Sequence, residues 1–381
     1  MGVRSATDSL PPAPSPGSAF RARRPALLAA GAISLALAGC GSAAPKVAPS
    51  PSARPRPTIT ASPHPLPSPS VGTLSCRLPL YGSGLAANPA GGSPEGGFMQ
   101  LPQGAVSLAP STTLVATPGG TWQTEGSPAL LGDQDEESWD PALGRWLPAS
   151  PPELSPSGTQ YAYFDQAASS LHLVTMASFS DQALSTGGDY RVLGWLGEEI
   201  MLGAVSAPGA ETQGLYRLSV TGGGVQMDLP PSASESWSLT GAGAVWGTGV
   251  DPQDPSPPAN GAGDEVLRYD PGTGTVSAWS YAPGLSVNLL GVTAAGQPVE
   301  LVEGPQANTL EVATGPPTAT RLLAGAGLDS LQPFEVSSAF TDPHGTWLTT
   351  DSGLYLLTPN LTLDLEQTGN FANVEVVGPC S

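Results

Sequence analysis

The apolar residues of this chain alternate in short runs, with none of the three- and four-residue spacing of an amphipathic helix. One strand-like pattern returns along the sequence: Leu171-His172-Leu173-Val174-Thr175, Leu215-Tyr216-Arg217-Leu218-Ser219, Val266-Leu267-Arg268-Tyr269-Asp270, Leu310-Glu311-Val312-Ala313-Thr314 and Leu354-Tyr355-Leu356-Leu357-Thr358. Two earlier segments fit more loosely, Phe98-Met99-Gln100-Leu101-Pro102 and Glu137-Ser138-Trp139-Asp140-Pro141. The second of these matches Asp270-Pro271-Gly272 as a strand running into a turn. Successive copies lie about 35 to 51 residues apart, which is room for four short strands and their turns.

A tight glycine turn precedes most copies, as in Ser155-Pro156-Ser157-Gly158, Leu196-Gly197-Glu198, Ala295-Gly296-Gln297 and Asp342-Pro343-His344-Gly345. Glycine supplies the positive φ that a hairpin turn wants, and proline presets the residue beside it. Strands and turns at this period predict an all-β, seven-bladed β-propeller, or six blades if the loose copy near 113–147 is not a full blade. The two ends complete one another. Phe371 to Cys380 reads as an inner strand with no successor, and Cys76 to Tyr81 as a second strand with no predecessor. Joined in one blade, strands from both termini close the ring and bring Cys76 against Cys380.

Composition adds an address. Arg21, Arg23 and Arg24 precede an apolar run that ends in Leu37-Ala38-Gly39-Cys40. A run of about fifteen residues is too short to span a bilayer, and basic, apolar and small-residue regions in this order make an export signal. The L-A-G-C ending resembles the lipobox of bacterial lipoproteins. That resemblance implies a signal peptide over 1–39, acylation of Cys40 (palmitate among the acyl chains), and anchoring to the outer leaflet of the bacterial cell membrane. An exported chain then holds two remaining thiols, Cys76 and Cys380, and a disulfide between them is expected. Residues 40–75 are rich in Pro, Ser and Ala without apolar periodicity, which predicts a disordered tether ahead of a propeller over 76–381. Ser155-Pro156-Ser157-Gly158 followed by Tyr161-Ala162-Tyr163 resembles the S-P-D-G-x-x-[IL]-A-[YF] repeat of TolB-type, WD-repeat-like propellers, with Ser157 in place of the Asp. It supports the fold and brings no activity with it.

Charge changes the functional picture most. The chain has 13 Lys+Arg against 32 Asp+Glu, a net of −19. Beyond residue 75 only six arginines face 31 acids. That excludes the basic footprint a nucleic-acid binder needs. The expected partners are the membrane, through the lipid, and a protein or glycan bound by a monomer. The long loops fall on one face, and two of them are acidic: Asp133, Asp135, Glu136 and Glu137 in one, Asp251, Asp254 and Asp264 in the other. Their alternate carboxylates form a candidate binding face and a partial Ca²⁺ pattern that lacks the glycine and distal Glu of an EF-hand loop. No other cofactor is expected and no metal ligands can be assigned. Trp195, Trp237, Trp246 and Trp347 are read as inter-blade core, and His172 as a packed strand residue. No G-x-S-x-G or H-E-x-x-H motif is present, and the repeat is not expected to assemble a Ser/His/Asp set. The leading expectation is a non-catalytic binding scaffold. The alternative is a propeller hydrolase or lyase with a divalent metal on the axis, for which Glu375 and Glu153 are the candidate ligands.

Overall fold

The computed structural model describes residues 70–83, 85, 95–108, 114–116, 122–124, 138–165, 168–178, 180–206, 210–254, 258, 263–304, 308–316, 319–324 and 335–381. The expected signal peptide, Cys40, most of the expected tether and the acidic segment 133–137 lie outside them. Among the described residues the only helical element is a single 3-10 turn, Pro151–Glu153.

The fold is an all-β propeller of six blades. Blade 1 orders its strands Val374–Val376, Cys76–Gly82, Glu95–Leu101 and Ala105–Leu108 from the axis outward. Blade 2 has Gln160–Asp165, Ser170–Thr175 and Ser180–Ser185, with the Leu154↔Tyr161 bridge standing for its inner strand. Blades 3, 4 and 5 each have four antiparallel strands, beginning at Tyr190–Leu196, Glu235–Gly241 and Ser286–Val292. Blade 6 runs from Val336–Asp342 outward to Leu363–Thr368, and Ser70–Val71 adds to its edge as a parallel fifth strand. The described part of the expected tether thus contributes a short strand ahead of Cys76.

The predicted closure is present. Leu80 pairs with Val376 and Tyr81 with Glu375, so one strand from the C-terminus and three from the N-terminus make blade 1. The Cys76–Cys380 disulfide, with its Cα atoms 5.6 Å apart, bolts the two ends together. Leu78 and Leu80 pack there with Trp347 and Leu356 of blade 6, all buried. Each further pair of neighbouring blades from 2 to 6 is glued in the same way by a buried aliphatic and aromatic layer, including Trp237 between blades 3 and 4 and Trp246 between blades 4 and 5.

Among the described residues there is no seventh blade. The loose copy forms a hairpin of two three-residue strands, Ser138–Asp140 and Arg145–Leu147, and a second short hairpin joins Leu114–Ala116 to Trp122–Thr124. Strands this short carry no ladder to the axis. The hairpin instead wedges against blade 1: the Trp139 N–H donates to the Val377 carbonyl at 3.0 Å, and Trp139 and Trp146 pack their rings on Phe98. Its far side reaches blade 2, where Leu147 and Ala149 are buried with Tyr161 and Val174. The wedge thus fills the gap between blades 1 and 2 with aromatic volume in place of a four-stranded sheet.

Candidate functional site

Six inner segments surround the axis and enclose a channel of ≈ 830 Å³. Their local geometry is not that of plain strands. In blades 3, 4, 5 and 6 the pairing of first to second strand skips one residue, between Val192 and Gly194, Trp237 and Leu239, Leu289 and Gly291, and Val336 and Ser338. A β-bulge re-aims the residue it leaves unpaired and sharpens the bend of the strand. The unpaired residues are Leu193, Ser238, Leu290 and Ser337, and three of these line the channel. In blade 3 the bulge depends on glycine: Gly194 has φ 136°, and a Cβ there would strike the Thr240 side chain.

The described channel wall holds one carboxylate, Glu375, and no Lys, Arg or His. Glu375 is exposed to the channel, and partial enclosure pushes its carboxyl above the usual range. The second axial candidate, Glu153, is committed elsewhere: its Oε2 accepts the Ser150 N–H at 2.9 Å, closing a capping box over the 3-10 turn. The Glu153 carbonyl holds the Trp195 indole N–H at 2.9 Å, which fixes that ring at the channel wall. Among the described residues no group of three or more His, Cys, Asp and Glu side chains is placed to hold a metal ion.

The described part of the acidic loop face folds in on itself. Asp264 and Asp251 are buried, and Asp264 Oδ1 accepts the Asp251 N–H at 2.8 Å. Asp251 Oδ1 takes the Gln253 N–H at 2.9 Å, and Asp254 Oδ2 takes the Gly284 N–H at 3.0 Å. Burial pushes the Asp264 carboxyl up to about 6; the Asp251 N–H opposes the rise and the Asp254 carboxylate adds to it. These side chains tie down the loop's own backbone.

One arrangement was not expected from the sequence. His172 Nδ1 lies 2.9 Å from Asp181 Oδ2, and His172 Nε2 lies 3.1 Å from Ser170 Oγ, so blade 2 does assemble a Ser/His/Asp set. Ser170 and His172 share a face two residues apart, and Asp181 comes from the next strand. The His172 ring stacks on Tyr163 at 4.8 Å. Ser170 is buried at the first position of the middle strand, directly after the turn at 168–169 and paired with Asp165 and Ser185 on its two sides, rather than on the turn itself where a nucleophile meets a substrate. The set satisfies its own hydrogen bonds on the flank of a blade, away from the axial channel.

No protein-family model matches the sequence, and no curated protein does. Solved structures to which the chain is similar include the following. The β-propeller domain of the Trilobed protease from Pyrococcus furiosus is similar over 80% of this chain and 96% of that one, at 9% identity and TM-score 0.46. TolB from Acinetobacter baumannii is similar over 81% of this chain and 68% of that one, at 12% identity and TM-score 0.38. A putative TolB from Agrobacterium tumefaciens is similar over 58% of this chain and 82% of that one, at 13% identity and TM-score 0.37.

Proposed function

We propose that this chain is a lipid-anchored, extracytoplasmic propeller that holds a ligand in its axial channel and serves as a binding scaffold. The observation that carries this reading is the channel itself: four inner strands bulge at the same point, and the residues so released include Leu193, Leu290 and Ser337 on its wall. Its volume of ≈ 830 Å³ lies within the range of about 300–1,000 Å³ usual for small-molecule sites. A single carboxylate on the described wall supports binding better than it supports a metal-dependent hydrolase or lyase, which draws on several ligands at once. The anchoring half rests on Leu37-Ala38-Gly39-Cys40 and on the export-type disulfide. Among the described residues no helix is long and apolar enough to cross a membrane.

Two experiments test the two halves. Cells expressing the protein and fed radiolabelled palmitate should label it, and Cys40→Ala should abolish the label; label retained in that variant contradicts the anchor. Crystals soaked with mixed small organic probes should show them in the channel. Probes gathered on the loop face, with the channel empty, contradict the axial channel as the binding site.

A further inference from the structure

The channel wall is chemically two-sided. The inner strands of blades 3, 4 and 5 bring Leu193, Trp195, Leu239 and Leu290 to one half of the ring. The other half begins with Ser337 and Ser338 of blade 6, passes to Asn373 just ahead of the neighbouring closing strand and Glu375 within it, and continues to Ser150. Hydroxyls, an amide and a carboxylate thus gather in one arc, interspersed with Phe340, Leu154 and Pro151. They face an arc of aliphatic and aromatic residues whose one polar side chain, on the described wall, is Thr240. Some of the hydroxyls are spoken for: Ser338 Oγ is 2.9 Å from Thr349 Oγ1. The Glu375 carboxylate has neither hydrogen bond nor ion pair to a described residue, and only the backbone of Glu375 is paired, with Tyr81.

We infer that the channel binds an organic cation, with an ammonium head on the Glu375 carboxylate and an apolar body against the Leu193–Leu290 half. This deepens the scaffold reading and rests on the channel being the binding site. The chemistry is selective in sign. An ammonium donates to an accept-only carboxylate that no cation of the described wall neutralises. A neutral head leaves that carboxylate desolvated without compensation, and an anionic head meets a like charge with nothing to offset it. The apolar arc supplies affinity through burial, at roughly 25 cal/mol per Å².

The test uses the full-length protein and three probes with one phenyl body: 2-phenylethylammonium, 2-phenylethanol and 3-phenylpropionate, titrated by calorimetry at 150 mM salt to screen surface charge. The expected result is saturable binding of the ammonium, about tenfold weaker binding of the alcohol, and none of the carboxylate. E375Q should bring the ammonium down to the level of the alcohol at an unchanged thermal midpoint, because Glu375 is exposed. An unchanged ammonium affinity in E375Q overturns the inference, since the acidic surface would then be the attractor. Leu290→Trp, checked for the same midpoint, separates the two readings. If ammonium and alcohol bind the native chain equally and both are lost in L290W, the channel binds without selecting charge, and the inference falls alone. If no probe saturates, or L290W changes nothing, the channel reading falls with it.

Discussion

The Asp342 carboxylate accepts the Cys380 backbone N–H at 2.9 Å, which ties the hairpin turn of blade 6 to the end of the chain that closes blade 1. The same oxygen accepts the Trp347 indole N–H at 2.9 Å, and the other oxygen takes the His344 N–H at 2.7 Å and the Gly345 N–H at 3.2 Å. Four donors converge on one buried carboxylate at the seam of the ring. Asp342→Asn keeps the shape but turns an NH₂ toward N–H groups. It should cost about 2–3 kcal/mol, the usual cost of breaking hydrogen bonds to a buried charged group. The thermal midpoint should fall by several degrees, whereas the exposed Asp351→Asn should leave it unchanged.

The disulfide acts on the same seam through the unfolded state. Cys76 and Cys380 are 304 residues apart, and closing so long a loop stabilises by up to roughly 5–6 kcal/mol in the chain-entropy account. Denaturant titration of the reduced protein, or of Cys380→Ser, should show a lower midpoint, with the Asp342 contact still contributing.

Glu300 gives the stability a pH dependence. It is 1% exposed, its Oε2 accepts from Ser280 Oγ at 2.6 Å across the blade 4–blade 5 boundary, and burial pushes its carboxyl up to about 7. A raised folded-state value means the protonated form is the one the fold favours. Its contribution is full below about 4.5, the unfolded value, and is lost as pH climbs through about 7. Unfolding midpoints between pH 4.5 and 8 should therefore fall, and E300Q should flatten that part of the curve and exceed the native protein at pH 8.

The bulge of blade 3 predicts a sharp contrast between glycines. Gly194→Ala puts a methyl into Thr240 at φ 136° and should destabilise by several kcal/mol, because the backbone has to move. Gly144→Ala also has a positive φ, 62°, but meets nothing within 4 Å, and should cost about 1 kcal/mol. Chemical denaturation of both variants checks the difference.

The Ser170–His172–Asp181 set separates scaffold from hydrolase. On the structural account a fluorophosphonate probe labels the native chain no more than Ser170→Ala, and both are at background for p-nitrophenyl acetate. Labelling that disappears in S170A would make blade 2 an esterase site.

How much of this the sequence disclosed depends on the range of each interaction. The Asp-Pro turn was legible, and its chemistry recurs: Asp140 Oδ1 takes the Ala142 N–H at 2.7 Å as Asp270 Oδ1 takes the Gly272 N–H at 2.9 Å. The blade around Asp140 was not, because a three-residue turn motif says nothing of how far the flanking strands extend. The closure by Cys76 and Cys380 was legible because both ends lacked a partner and thiols were scarce. The bulges at Leu193, Leu290 and Ser337 were not: Gly194 and Gly291 follow the first two as a bulge glycine does, but no such residue marks Ser337, and a lone glycine in a strand pattern does not fix the register. Asp181 meets His172 only through the register of a hairpin, which spacing alone does not set.

The most direct measurement is a titration followed by leucine-methyl NMR of the full-length protein, with 2-phenylethylammonium as ligand. The account predicts saturable shifts at Leu193, Leu239 and Leu290, with Leu78 in the blade 1–blade 6 core unmoved. Saturable shifts that leave those three leucines in place, or none at any concentration, would contradict an axial binding channel.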